Sequence, residues 1–267
     1  MQKQFFTEAI SLEIFETISK ASQQLGLESY VIGGFVRDYF LKRGTAKDID
    51  IVTIGSGIDL AEKVSSLLSN KPKVQIFKTY GTAMLRYKDI EIEFVGARKE
   101  SYSEESRNPE VSEGNLQDDQ NRRDFTINAL ALSLNEANFG ELLDPFNGID
   151  DLEDGILRTP LNPDITYSDD PLRMMRAIRF ASQLNFKIEK KSLAAITKNS
   201  ERLEIITRER IVDELNKVMS CEKPSIGFLL LEETKLLAQI IPELIDLKGV
   251  EEVEGQKHKD NFYHTLE

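Results

Sequence analysis

Cysteine is nearly absent: Cys221 is the single one in 267 residues, so no internal disulfide can form and the chain depends on its core. No basic-then-apolar leader precedes the first helical stretch, and with one cysteine this gives the expectation of a reducing, cytoplasmic setting. Long apolar runs are missing too. Stretches such as Phe228 to Leu231 fall far short of the ~20 residues a membrane-spanning helix needs, so no membrane role is expected. Positive charge is in deficit, with 34 Lys and Arg against 46 Asp and Glu and a net charge of −12. A surface that binds polyanions everywhere is therefore excluded, although a local basic patch is not. Apolar residues make up 40% of the chain, enough for one large domain or two to three small ones.

The densest chemistry lies in Tyr30 to Ile54, YVIGGFVRDYFLKRGTAKDIDIVTI, which reads as strand, glycine turn, helix, strand. Along a strand, Asp48 and Asp50 point the same way about 7 Å apart, while Ile49 and Ile51 face the core. Paired carboxylates repel, and a divalent cation with oxygen ligands, Mg²⁺ above all, relieves the repulsion and recruits phosphates. Gly33 and Gly34 let backbone N–H groups approach an anion at the start of the next helix, a resting place for a triphosphate. Gly-Gly alone also makes an ordinary turn, and Asp-x-Asp alone an exposed strand edge. Their combination, with Arg37 and Asp38 between them, is what points to a nucleotide.

Further along, Ile90, Ile92 and Phe94 share one strand face, which leaves Glu91 and Glu93 on the other. A third carboxylate is thus on offer, and the spacing does not choose between the two. In NRRDFTINAL, Asn121 to Leu130, Arg122 and Arg123 stand ahead of Asp124 and Asn128. Guanidinium forks match phosphate oxygens, and Asp or Asn can engage sugar hydroxyls. In DDPLRMMRAIRFA, Asp169 to Ala181, a helix is expected from Pro171, with Asp170 and Arg173 as neighbours on one face. A carboxylate that accepts from an exocyclic amine, beside a guanidinium that donates to the adjacent ring acceptor, suits cytosine and adenine and rejects uracil and guanine. From Pro171 to Lys191 the cations Arg173, Arg176, Arg179, Lys187, Lys190 and Lys191 face Glu189 alone, a net +5.

GGFVRD followed by DIDIV resembles the first motif of the class II tRNA nucleotidyltransferases and bacterial poly(A) polymerases, within the DNA polymerase beta superfamily. RRDFTINALA is similar to the family's second motif, and DPFNG with Asp150 and Asp151 to the third. DDPLRMMRAIRFA resembles the fourth and TRERIVDELNKVM, Thr207 to Met219, the fifth. The five motifs occur in family order between about Tyr30 and Gly249. The resemblance implies Asp48 and Asp50 as catalytic metal ligands. It chooses Glu93 as the third acid, because Arg98 matches the arginine that ends the family's strand motif. It implies nucleotide contacts at Gly33, Gly34, Arg37, Asp38, Arg123, Asp124 and Asn128, with Asp170, Arg173, Arg176 and Arg179 at the base-reading helix. Asp169 departs from the family, which usually has Glu there.

What the resemblance implies is template-independent addition of CCA to tRNA 3′ ends from CTP and ATP, with Mg²⁺ as cofactor and pyrophosphate released. A poly(A) polymerase, or a partial CC- or A-adding enzyme, would share every motif. An RNA-binding protein without catalysis would not need the acids, and a transferase acting on small molecules would not need the base-reading pair.

The expected fold is α+β: a nucleotidyltransferase head with a mixed sheet and flanking helices, then an all-helical neck and body. We expect an N-terminal helix in 1–28, from about Thr7 to Leu25, then the head in 29–150, the neck in 151–220 and the body in 221–250. Glu100 to Gln120, polar with Pro109 and Gly114, is expected to be a long loop or lid. In resembling enzymes a flexible loop here is tied to addition of the terminal A. Ile211, Val212, Leu215 and Val218 are expected in the core. Residues 251–267, with His258 to Leu266, resemble the opening of an HD-type domain; no His-Asp pair follows, so a hydrolase metal site is not completed.

Overall fold

Apolar alternation puts Ile49, Ile51, Ile92 and Phe94 inside, each at 1% exposure or less, and this face fixes how the sheet packs. The computed structural model describes residues 3–44, 47–103, 106–249, 252–253, 256–257 and 260–266. It divides into two compact units, residues 1–101 with 109–154, and residues 102–108 with 155–267. His258 and Lys259 of the HD-like stretch lie outside the described residues.

The first unit begins with a 3-10 turn, Thr7–Ile10, then α1 (Glu13–Leu25), which ends at Gly26 in the left-handed region, φ +66°. The single helix expected from Thr7 is broken at Leu12, whose backbone is extended. Ile10 and Ile14 nevertheless bury on both sides of the break, and that is why the spacing hides it. There follow β1 (Glu28–Ile32), α2 (Gly34–Phe40), β2 (Asp48–Ile54), α3 (Gly57–Leu67), β3 (Gln75–Phe77), β4 (Thr82–Tyr87) and β5 (Ile90–Gly96). Next come β6 (Arg98–Ser103), β7 (Ser106–Glu113), α4 (Leu116–Asn121), β8 (Ala131–Ser133), β9 (Leu142–Leu143) and α5 (Gly148–Asp154).

Among the described residues one seven-stranded sheet forms, in the order β3-β4-β5-β2-β1-β8-β9. Only its β2/β5 pair is parallel, so the sheet is mixed, as expected. Helix α3 packs on β4 and β5, and α1 packs on α3 and β1. The opposite face is apolar at Tyr30, Ile32, Val52, Ala97 and Ala131, against which Leu116 of α4 packs.

The loop expected over Glu100 to Gln120 is instead a two-stranded β6/β7 ribbon followed by α4. Its polar residues follow no hydrophobic period, so the ribbon leaves no trace in a pattern of burial. Helix α4 starts on a capping box: Asn115 Oδ1 accepts from Asp118 N at 2.9 Å, and Asp118 Oδ2 accepts from Asn115 N at 3.0 Å.

The second unit carries β10 (Ile156–Leu157), α6 (Pro163–Asp169), α7 (Leu172–Leu184), β11 (Lys187–Ile188), α8 (Lys190–Asn199), α9 (Arg208–Met219), α10 (Pro224–Glu233), α11 (Leu236–Ile240) and α12 (Pro242–Ile245). Helix α7 is its centre, with Met174, Met175, Ala177, Ile178 and Ala181 fully buried and α9 and α10 packed on it. The unit is not wholly helical, because β10 and β11 form a short parallel pair. Two-residue strands are too brief to show a period. In α9 the expected core is also revised: Val212 is 47% exposed, while Glu214 is 3% exposed and buried beside Val218. An ion pair draws that acid inward, as shown below.

Candidate active site

Strand β2 pairs with β5 in register, Asp48 beside Glu91 and Asp50 beside Glu93. The four carboxylates therefore share one face, and Ile49 and Ile92 the other. Asp50 is the most enclosed, flanked by Ile32 of β1 on one side and Glu93 on the other. Burial pushes its carboxyl above the ordinary range; the Arg123 guanidinium draws it back, and the charges of Asp119 and Asp48 raise it again. Glu93 is pushed the same way by burial and by the charge of Asp50, against a hydrogen bond from Thr82.

Gly33 is where the rest converges. Its φ of +83° is open to glycine, and a Cβ there would stand 2.8 Å from Arg123 Nη1 and 3.4 Å from Asp50 Oδ2. The missing side chain is what lets acid and guanidinium approach each other. The Gly33 N–H itself donates to Leu130 O at 3.2 Å and is thereby committed to the fold.

Arg37 and Asp38 sit on α2 behind that turn. Arg37 is 7% exposed; its Nε and Nη2 donate to Asp38 at 2.9 and 3.0 Å, and its Nη1 donates to Asn128 Oδ1 at 2.8 Å. Asn128 in turn donates to Asp124 Oδ1 at 2.9 Å, which also accepts from Phe125 N. Arg37, Asp38, Asp124 and Asn128 thus form one polar network, largely buried, in which each member orients the next.

A residue the sequence reading missed holds the arginine pair. Asp119, fully buried on α4, accepts from Arg122 Nε at 2.9 Å and from Arg123 Nε at 3.2 Å. The clue was present, since Asp119 lies three and four residues before Arg122 and Arg123 on a capped helix. Reading the segment as a loop hid it.

Among the described residues no three acidic, histidine or cysteine side chains close on one point. The donor set nevertheless fits a hard divalent cation. Mg²⁺ takes one or two carboxylates from a protein and completes its shell with water and phosphate oxygens, and Asp48 and Asp50 supply two whose mutual charge raises the proton affinity of Asp50.

In the second unit the helix expected from Pro171 forms as α7, with Pro171 at its cap position and Asp170 outside it. Asp170 is extended, φ −132°, between α6 and α7, and its Oδ1 accepts from Leu172 N at 3.2 Å. Its carboxylate thus caps α7 from just before the helix that carries Arg173. Arg173, Arg176 and Arg179 recur every three residues and all are half-buried. Arg179 is committed to the fold: its Nε lies 2.6 Å from Glu214 Oε2, with side chains 12% and 4% exposed, and its guanidinium stacks 4.0 Å from the Phe180 ring centroid. Arg202, unmarked in the sequence reading, donates to Ser168 O at 3.0 Å and steadies the turn before Asp169.

Residues 29–158 match the family described as the poly A polymerase head domain, and residues 185–247 the one described as the probable RNA and SrmB-binding site of polymerase A. The chain is 34% identical over 223 residues to the A-adding tRNA nucleotidyltransferase of Aquifex aeolicus, covering 82% of this chain and 26% of that protein. It is 36% identical over 240 residues to the CCA-adding enzyme of Anoxybacillus flavithermus, covering 89% and 56%. The solved structure of the Thermotoga maritima CCA-adding enzyme complexed with tRNA superposes with a TM-score of 0.78 at 30% identity, covering 91% of this chain and 57% of that one. The chain thus spans about half the length of such relatives, or less. With both family matches in order along these two units, the chain belongs to the class II tRNA nucleotidyltransferase and bacterial poly(A) polymerase family.

Proposed function

We propose that this chain adds nucleotides to RNA 3′ ends without a template, completing the CCA of tRNA from CTP and ATP with Mg²⁺. The observation that carries this reading is the meeting of Asp50 and Arg123 over Gly33, beside the Asp48 and Glu93 carboxylates. In the reaction, the RNA 3′-oxygen bonds to the α-phosphorus of the nucleotide, the bond from that phosphorus to the β-phosphate bridging oxygen breaks, and pyrophosphate leaves. Mg²⁺, when bound, activates the 3′-hydroxyl and neutralises charge on the phosphates. Asp48 and Asp50 would hold it, with Glu93 assisting.

Arg123 engages a phosphate, while Asp119 and the network of Arg37, Asp38, Asp124 and Asn128 keep it aimed. Gly34 opens the backbone toward the same phosphates. Asp170, just before α7, and Arg173, on it, are assigned to the Watson–Crick edge of the incoming base, and Arg176 to the nucleotide. Arg179 braces the helix through Glu214. No described helix is long and apolar enough to cross a membrane, and we infer a cytoplasmic enzyme.

A-only addition is the competing reading, favoured by the name of the Aquifex relative. Replacing Asp48 or Asp50 with Ala tests transferase against simple RNA binding. Incorporation of labelled nucleotide should fall by several orders of magnitude while RNA binding is retained. Wild-type rates in either variant would remove the assignment.

A further inference from the structure

From Lys63 to Lys88 the sequence holds Lys63, Lys71, Lys73, Lys78, Arg86 and Lys88 and not one Asp or Glu. In a chain of net charge −12 this is an isolated cationic run, and its part from Gln75 to Tyr87 forms the β3–β4 hairpin at the edge of the sheet. All three residues of β3 are exposed. Phe77 is 43% exposed, and Tyr80, in the 3-10 turn Lys78–Tyr80 that joins the strands, is 72% exposed. A bare edge strand invites pairing with other chains, and lysines discourage it. Lysines do not explain why two aromatic rings are held out among them. Arg86 faces Glu91 across the β4/β5 pair, so the positive charge nearest the rings belongs to Lys71, Lys73 and Lys78.

The register places this edge in line with the carboxylates. Phe77 stands opposite Thr82, Met84 opposite Glu93, and Glu93 opposite Asp50. Phe77, Thr82, Met84, Glu93 and Asp50 therefore share one face. At ~4.8 Å between strands and ~7 Å per two residues along one, Phe77 lies on the order of 12 Å from Glu93. The group between them is Thr82, whose hydroxyl bonds Glu93.

We propose that the β3–β4 edge is a platform for the single-stranded end of the RNA primer, with Phe77 and Tyr80 stacking on its bases and Lys73 and Lys78 meeting its phosphates. Aromatic faces interleaved with cations suit single-stranded nucleic acid of any sequence, because every base presents a π-face and every linkage a charge. The platform lies behind the reacting 3′ end and leaves base choice to another site. This assignment rests on the transferase reading for the identity of the strand.

The sequence contains no tryptophan, so Tyr80→Trp puts a sole indole on the platform. Titration with a short single-stranded RNA should quench its fluorescence saturably, and less so as salt rises. An unchanged signal overturns the platform. In steady state, Phe77→Ala with Tyr80→Ala should raise KM for the primer about tenfold or more and leave KM for the nucleotide unaltered. Unchanged primer KM, or a rise confined to the nucleotide, overturns it, as does loss of self-association in sedimentation with primer KM intact. Both side chains are exposed, so the variants should fold, and circular dichroism checks that they do. Incorporation by wild type without quenching in Tyr80→Trp removes the platform alone; quenching with no incorporation removes the transferase reading alone.

Discussion

Asp50 and Glu93 stand opposite each other in the parallel ladder of β2 and β5, and the charge of Asp50 adds to burial in pushing the Glu93 carboxyl up. Two acids held together this way destabilise the fold, and a bound cation relieves them.

With metal chelated, Asp50→Asn removes a charge that burial penalises and should unfold at a higher temperature than wild type. Mg²⁺ at ten times its dissociation constant should stabilise wild type by about 1.4 kcal/mol and leave the variant unmoved. Thermal unfolding at matched metal concentrations checks both. An equal response to Mg²⁺ would take Asp50 out of the ligand set.

The two glycines should respond with opposite sign. Gly33→Ala forces an L side chain to φ +83° and drives its Cβ to 2.8 Å from Arg123, so it should cost about 1–3 kcal/mol and lower incorporation. Gly34 is the first residue of α2, and a Cβ there meets only Arg37 Nη2, at 3.8 Å. Gly34→Ala should therefore stabilise the fold by up to about 1 kcal/mol. Denaturant unfolding of both variants decides.

Arg179→Ala leaves buried Glu214 to Lys217, whose Nζ lies 2.9 Å from its Oε1, and should destabilise by up to about 3–5 kcal/mol, whereas Arg179→Met with Glu214→Leu should restore most of the loss. Nucleotide affinity of the double variant should stay near wild type. A selective loss of nucleotide binding at full stability would return Arg179 to the site.

Arg173→Ala should relax base choice more than affinity, because the proposed reading assigns the phosphates to Arg123 and the metal. A lost charged hydrogen bond of about 1.5–3 kcal/mol corresponds to about one to two decades of discrimination against UTP and GTP. Incorporation of all four nucleotides, wild type beside variant, measures it. Undiminished rejection would leave Asp170 and Arg173 as parts of a helix start only.

The sheet was legible because β2 and β5 alternate cleanly, and alternation fixes which side chains share a face. Asp48, Asp50 and Glu93 followed from that parity, with the choice of Glu93 over Glu91 supplied by family resemblance. What stayed hidden obeys other rules. The β6/β7 ribbon is mostly polar, with Tyr102 and Val111 too far apart to set a period. Asp119 is buried through ion pairs, and hydrophobicity cannot announce a buried acid. Glu214 is hidden for the same reason, since hydrophobicity favours Val212 for the core, yet Val212 is exposed and Glu214 buried. Asp170 sits at a chain bend, where helical spacing no longer says which side chains are neighbours.

The most direct test offers the purified chain and Mg²⁺ three tRNA transcripts, lacking CCA, CA or A, each with one labelled nucleotide at a time. CTP should be incorporated on the first, CTP on the second and ATP on the third, with negligible UTP or GTP on any and loss of all incorporation in Asp50→Ala. No incorporation by wild type, or incorporation that survives Asp50→Ala, would contradict the proposed function.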